Sequence, residues 1–138
     1  MHIPTVFVSD KLDTFNELQL SDEKLHHLKN VLRMKDMDEI KISNGKGKLH
    51  YGNLDGNIVT LKSSEEFERK NEIDIFVSFI QDKDRIRFII EKLTELSVNS
   101  ISFGPTDHSQ KIKVDFDKLN KWSISAVEQS GNAFKPDI

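Results

Sequence analysis

The sequence predicts an α+β chain in two parts. A small β-barrel-like unit of short antiparallel strands with one helix occupies residues 1–70, and the opening strand–helix units of an α/β parallel sheet occupy residues 71–138. Three observations predict this. Short alternating runs in the first half are separated by the turn pairs Asn44-Gly45 and Asp55-Gly56. After residue 70 the pattern changes to strand, helix, strand, helix. Between the halves, Ser63 to Glu72 is polar and charge-dense apart from Phe67, which places a boundary close to residue 70.

In order along the chain, Ile3–Val8 is a strand whose Pro4 sits near its start, where a missing N–H is tolerated. Ser21 caps a helix, with Asp22 and Glu23 in its first turn and Leu25, Leu28, Val31 and Leu32 at helical spacing. Glu39–Ser43 alternates as a strand, Asn44-Gly45 turns it, and Leu49–Tyr51 returns; the glycines of Gly45-Lys46-Gly47 serve that hairpin. Asp55-Gly56 turns again into Ile58–Leu61. In the second half, Ile73–Ile80 is a nearly unbroken apolar run, the pattern of a strand buried on both faces. Asp82 caps a helix with Ile86, Ile89, Ile90, Leu93 and Leu96 on one stripe. Asn99–Phe103 is the next strand, ended by Gly104-Pro105. Asp115 caps a last helix that turns Phe116, Leu119, Trp122, Ala126 and Val127 inward and closes near Gly131. Two strand–helix units cover a sheet poorly, so residues 71–138 are expected to be the first part of a larger domain, with a third strand beginning near Pro136.

Composition excludes several classes. The absence of cysteine rules out disulfides and thiolate metal sites and suits a reducing cytoplasm. No run approaches the roughly 18 apolar residues of a membrane span, and the N-terminus lacks a basic, then apolar, export signal. A net charge of −3 argues against bulk nucleic-acid binding. Locally the balance reverses: Lys24, Lys29, Arg33, Lys35, Lys41, Lys46 and Lys48 face only Asp36, Asp38 and Glu39, a +4 window able to track phosphates.

The five histidines make no metal motif: His26 and His27 diverge by about 100° on a helix, and neither has a ligand at i+4. No nucleophile elbow, dinucleotide fingerprint or P-loop is present. Two polar clusters in the second half stand out. Glu91 to Val98 places Lys92 and Glu95 on one helix face. Ser125 to Asn132 ends a helix in Glu-Gln-Ser-Gly.

These clusters carry a resemblance. His27-Leu28-Lys29-Asn30-Val31-Leu32-Arg33-Met34, followed by Asp38-Glu39-Ile40 and Asn44-Gly45, resembles the "H-L-x-x-V-L-R … G-D-x-I … D/N-G" signature of RsmE-type SPOUT-class methyltransferases. Glu91–Val98 resembles that family's "x-K-x-T-E-L-G-V", and Ser125–Gly131 its "A-x-E-Q-S-G-R". The three blocks stand in the family's order. The resemblance implies a PUA-like RNA-binding β-barrel at 1–70 joined to the first part of a trefoil-knotted α/β domain at 71–138. It implies methylation of N3 of a uridine in small-subunit ribosomal RNA from S-adenosylmethionine, a homodimer for the intact protein, and a cytoplasmic setting. Lys29, Arg33, Lys35 and Lys92 become the expected RNA contacts. Glu95, Glu128, Gln129 and Ser130 become the expected lining of the target-uridine pocket, one of the two glutamates serving as base. The family's glycine-rich cofactor loops lie beyond Ile138, so this chain alone is expected to be inactive and to lack the S-adenosylmethionine site. Three positions depart from the pattern: Ser97 replaces a glycine, and His108 and Asn132 stand where arginines are usual. A non-enzymatic RNA-binding or ribosome-assembly module, which has lost the catalytic half, is the alternative that the +4 window and the two altered arginine positions suggest.

Overall fold

The computed structural model describes residues 2–9, 12, 17–69 and 72–138; the boundary placed close to residue 70 falls at residues 70 and 71, outside them. The first half is a curled five-stranded sheet of β1 (Thr5–Phe7), β2 (Glu17–Gln19), β3 (Glu39–Ser43), β4 (Lys48–Asp55) and β5 (Ile58–Glu66), in the order β1-β3-β4-β5-β2. Ser21 caps α1 (Asp22–His26), its hydroxyl accepting from the Lys24 N–H. The inner face gathers Val6, Leu28, Ile40, Ile42, Leu54 and Val59 into one core.

Three details differ from the sequence reading. The first strand is shorter than Ile3–Val8 and pairs parallel with β3, not antiparallel, Thr5 opposite Lys41. Pro4 has no N–H to give the ladder, and its carbonyl instead accepts from the Lys41 N–H at 2.9 Å. Residues His27–Val31 form a π-helical turn, closed by the Leu32 N–H on the His27 carbonyl. The extra residue in that turn rotates the stripe: Leu28 is buried, but Val31 and Leu32 are 59% and 47% exposed. The charge-dense Ser63–Glu66 continues β5, because ladder pairing with β4 (His50 opposite Ser64, Lys48 opposite Glu66) uses backbone groups that side-chain polarity does not forbid.

The second half holds β6 (Asp74–Ser78), α2 (Lys83–Glu95), β7 (Ser100–Gly104) and α3 (Phe116–Ser130). β6 and β7 run parallel, Asp74 opposite Ser100 and Ser78 opposite Gly104. Asp82 and Asp115 cap the two helices through their carboxylates, and Gly131 ends α3 at φ 74°. Ile86, Ile90, Leu119 and Ile101 form the core, with Ile75 and Val77 packed against it. The expectation that Ile73–Ile80 is buried on both faces is not met: α2 and α3 cover the Ile75/Val77 face, and Phe76 on the other is 58% exposed. Leu96 and Phe116, counted inward from their spacing, are exposed because one lies past the end of α2 and the other opens the first turn of α3. Asp137 pairs in parallel with Ser100, on the β7 edge where a third strand was expected.

Asp74 ties the start of this sheet together, accepting from Ser100 Oγ at 2.6 Å and Asn99 Nδ2 at 2.9 Å. The Ser100 hydroxyl, then Asn99, hold its carboxyl below the usual aspartate range. A lowered folded-state value means the contribution is present above the unfolded pKa and fades as pH falls through the lowered one. The urea midpoint of the wild type should therefore converge on that of Asp74→Asn as the solution is acidified. Parallel curves at all pH values would remove this role.

Candidate functional site

The two halves meet where α2 and α3 end. Residues 43–47 and 132–135 dock side by side. Ser43 Oγ donates to the Asn132 carbonyl at 2.7 Å, the Gly47 N–H to Ala133 at 2.9 Å, and the Lys135 N–H to Gly45 at 2.8 Å. Burial lowers the Lys135 ammonium below the usual lysine range, against the opposing pull of Asp137. Beyond them, the start of α3's last turn grips β1: one oxygen of Glu128 accepts from the Phe7 N–H at 3.1 Å, and the Lys24 ammonium donates to the Phe7 carbonyl.

Beside this seam lies a cleft of about 500 Å³ walled by Leu49, Phe67, Ile73, Leu96 and Phe134, with Arg69 and Asn132 among its polar lining. Arg69 lies 4.5 Å above the Phe134 ring and donates to the Ser97 carbonyl at 2.5 Å, so its charge is held flat against the wall. Apolar faces with a few fixed polar groups suit a planar ring. The carboxylate in the lining is Glu68, an exposed side chain, so the cleft as it stands is built to bind rather than to move protons.

Ser97 and Asn132, two of the three departures from the family pattern, contact each other in the cleft wall. Ser97 adopts φ 60°, a left-handed conformation that costs a residue with a Cβ but not glycine. Asn132 compensates: its Nδ2 lies 2.8 Å from Ser97 Oγ and also reaches the Thr94 and Glu95 carbonyls at 2.9 and 3.2 Å, sealing the end of α2. Asn132→Ala should lose about 1–2 kcal/mol. In a Ser97→Gly background the loss should shrink, since glycine holds the turn unaided. Urea denaturation of the four-member cycle checks the coupling; strict additivity would deny it.

The sequence-predicted residues fall in three places. Glu95 is exposed and paired with Lys92 at 3.2 Å on α2. Glu128, Gln129 and Ser130 end α3, with Glu128 engaged on Phe7 and the Ser130 hydroxyl donating to the Ala126 carbonyl at 2.7 Å. The residues that follow these two groups, Leu96–Ser97 and Gly131–Asn132, supply the cleft wall. Lys29, Arg33 and Lys35 cluster on the barrel's helical turn and the bend after it, all exposed, and Lys92 stands on a separate element. His108 is exposed in the turn after β7. Sequence reasoning missed Arg69 and Phe134. Arg69 sat in a charged stretch that looked like solvent-facing linker, and nothing local to it reports a ring 65 residues away.

The RNA methyltransferase domain family matches residues 67–138, more than half of the chain. The chain belongs to that family. The RNA methyltransferase PUA domain matches residues 20–52, within the curled sheet. Ribosomal RNA small subunit methyltransferase E of Buchnera aphidicola is 28% identical over 148 residues, covering 99% of this chain and 58% of that protein. The protein of the same name from Rickettsia conorii is 26% identical, covering 96% of this chain and 57% of its own length. The chain thus spans less than two thirds of the length of those relatives, and the resemblance read from its three motif blocks is to this same family. Its fold matches the ribosomal RNA small subunit methyltransferase E of Neisseria gonorrhoeae, bound there to S-adenosyl methionine, with TM-score 0.84 and 25% identity over 99% of this chain and 60% of that one. A probable rRNA-methyltransferase from Porphyromonas gingivalis shares the fold at TM-score 0.81.

The described residues do not by themselves fit S-adenosylmethionine. A glycine-lined backbone cradle for such a ligand needs glycines facing open space, and Gly45, Gly47 and Gly52 are closed in by ring or backbone atoms, while Gly104 and Gly131 face Phe76 and Lys41 side chains. The sixth, Gly56, opens outward in the two-residue β4–β5 turn.

Proposed function

We propose that the intact family member carrying this chain methylates N3 of a uridine in small-subunit ribosomal RNA, with S-adenosylmethionine as the methyl donor, residues 1–138 alone being inactive. The observation that carries this reading is the succession of a PUA match and an RNA methyltransferase match along one chain whose relatives bear that name. None of the described residues is assigned to the donor's site. The barrel over residues 1–70 holds the RNA, with Lys29, Arg33 and Lys35 on phosphates, which position the strand without reading its bases. Residues 71–138 present the catalytic edge. Glu95, Glu128, Gln129 and Ser130 flank the target base, and Lys92 meets the backbone beside it. Uracil N3–H is a weak acid, so a carboxylate that takes up its proton assists the transfer. The working form is a homodimer in the cytoplasm, a reading that the exposed Phe76 on the open face of the β6–β7 sheet supports; sedimentation checks the dimer. No helix among the described residues is long and apolar enough to cross a membrane.

The test is transfer of labelled methyl from S-adenosylmethionine to small-subunit rRNA, followed by nucleoside analysis. Label in 3-methyluridine is the expected result for the intact protein, and no label for residues 1–138 alone. RNA binding by the intact protein with neither donor binding nor transfer would favour the non-enzymatic module instead.

A further inference from the structure

We propose that the turn from Val31 to Met37 is a preformed wedge that packs aliphatic side chains against an unpaired nucleotide of the RNA, while Lys29, Arg33 and Lys35 hold the flanking phosphates. This rests on the RNA-binding reading above and adds to it the kind of RNA and the mode of contact.

Three independent features meet in this segment. Val31, Leu32 and Met37 are 59%, 47% and 59% exposed, apolar side chains on a short segment that also carries the exposed Arg33 and Lys35. The backbone beneath them is strained: a π-helical turn runs from His27 to Val31, and Arg33 and Met37 sit at φ 54° and 71°. Strain in residues that carry a Cβ persists where surrounding bonds over-determine it, and here they do. The Met34 N–H donates to Leu28 and the Met37 N–H to Leu54, Asn53 Nδ2 donates to the Met37 carbonyl, and Met34 is buried beneath the turn. Finally, the nearby acids are turned to backbone duty. Asp38 accepts from the Lys35 N–H at 2.8 Å and Asp36 from the Gly56 N–H at 3.2 Å. The ion pairs of Arg85, Arg87 and Lys92 are made within α2 and its cap and take up none of Lys29, Arg33 and Lys35, which stay exposed for an outside anion.

The chemistry favours RNA as the occupant. Leu and Met are among the apolar side chains proteins press between base steps, and a rigid wedge needs little ordering on binding. N3 lies on the Watson–Crick edge of uracil, so a base methylated there must leave its pair. A device that stabilises an unstacked neighbour serves that requirement. A second copy of the chain is disfavoured, since a two-fold contact through this tip would set Lys29, Arg33 and Lys35 against their own equivalents.

The experiment compares binding of the protein to a hairpin RNA with a 2-aminopurine bulge and to its fully paired counterpart. Wild type should prefer the bulge and raise its fluorescence. Leu32→Ser with Met37→Asn, at exposed positions and with an asparagine suited to positive φ, should weaken bulge binding about tenfold and abolish the fluorescence rise, leaving the salt dependence unchanged. Lys29→Gln with Arg33→Gln should instead flatten the salt slope by about 1.5 and weaken both RNAs alike. Full bulge affinity in the Leu32/Met37 variant would overturn the wedge while leaving RNA binding intact. Self-association of wild type that this variant abolishes would reassign the tip to a second copy. No RNA binding by wild type would overturn the underlying reading as well.

Discussion

Gly47→Ala is expected to cost about 2–4 kcal/mol, adding backbone strain to the loss of at least one seam hydrogen bond, and to uncouple the two halves of the protein. Gly47 sits at φ 103°, and a Cβ there would lie 2.6 Å from the Phe67 carbonyl oxygen and 2.9 Å from the Phe134 ring. Neither can retreat freely. The Phe67 N–H is bonded to the Gly47 carbonyl at 2.7 Å, and Phe134 is held by Arg69 and by a bridge to Lys46. Displacing Gly47 also breaks its N–H bond to Ala133 and loosens the docking of 43–47 on 132–135, while each half keeps its own core. The chain carries one tryptophan, Trp122 on α3, and one tyrosine, Tyr51 on β4, so each half has its own optical reporter. In wild type the two urea transitions should coincide; in Gly47→Ala the curves should separate. Coincident, unshifted transitions in the variant would show that the seam does not couple the halves.

That seam also marks where sequence reasoning runs out. Gly45-Lys46-Gly47 reads locally as a hairpin and does connect β3 to β4, but its second task is to receive residues 132–135, far away in sequence. The caps at Ser21, Asp82 and Asp115 and the left-handed Gly131 were legible because each depends on the few residues beside it. The parallel β6–β7 pair followed from the strand–helix–strand pattern. What failed needed tertiary information. Val31 and Leu32 keep helical spacing on paper, yet one π-turn swings them outward. The apolar run around Phe76 promised cover on both faces, and the described residues cover one. The motif blocks ending at Val98 and Gly131 were visible separately. That Ser97 and Asn132 hold them together could be seen only once both helices were placed.

Glu128→Gln and Glu128→Ala are expected to part company, and the difference tests whether this carboxylate serves chemistry as well as structure. Its Oε2 accepts from the Phe7 N–H across the contact between α3 and β1. Alanine removes that acceptor and leaves a part-buried N–H unpaired, a loss of about 1–3 kcal/mol. Glutamine keeps an oxygen in place, so its denaturation midpoint should stay close to wild type. If Glu128 is the base proposed for the N3 proton, glutamine nonetheless cannot take that proton, and methyl transfer by the intact protein should fall by about 10²–10⁴ with donor and RNA affinities retained. Glu95→Gln supplies the comparison. The Lys92–Glu95 pair is exposed and worth at most about 1 kcal/mol, so its loss should leave stability nearly unchanged. A collapse of turnover in Glu95→Gln with full activity in Glu128→Gln would move the base to α2. Glu128 would then remain as the strut that fixes β1 to the end of α3.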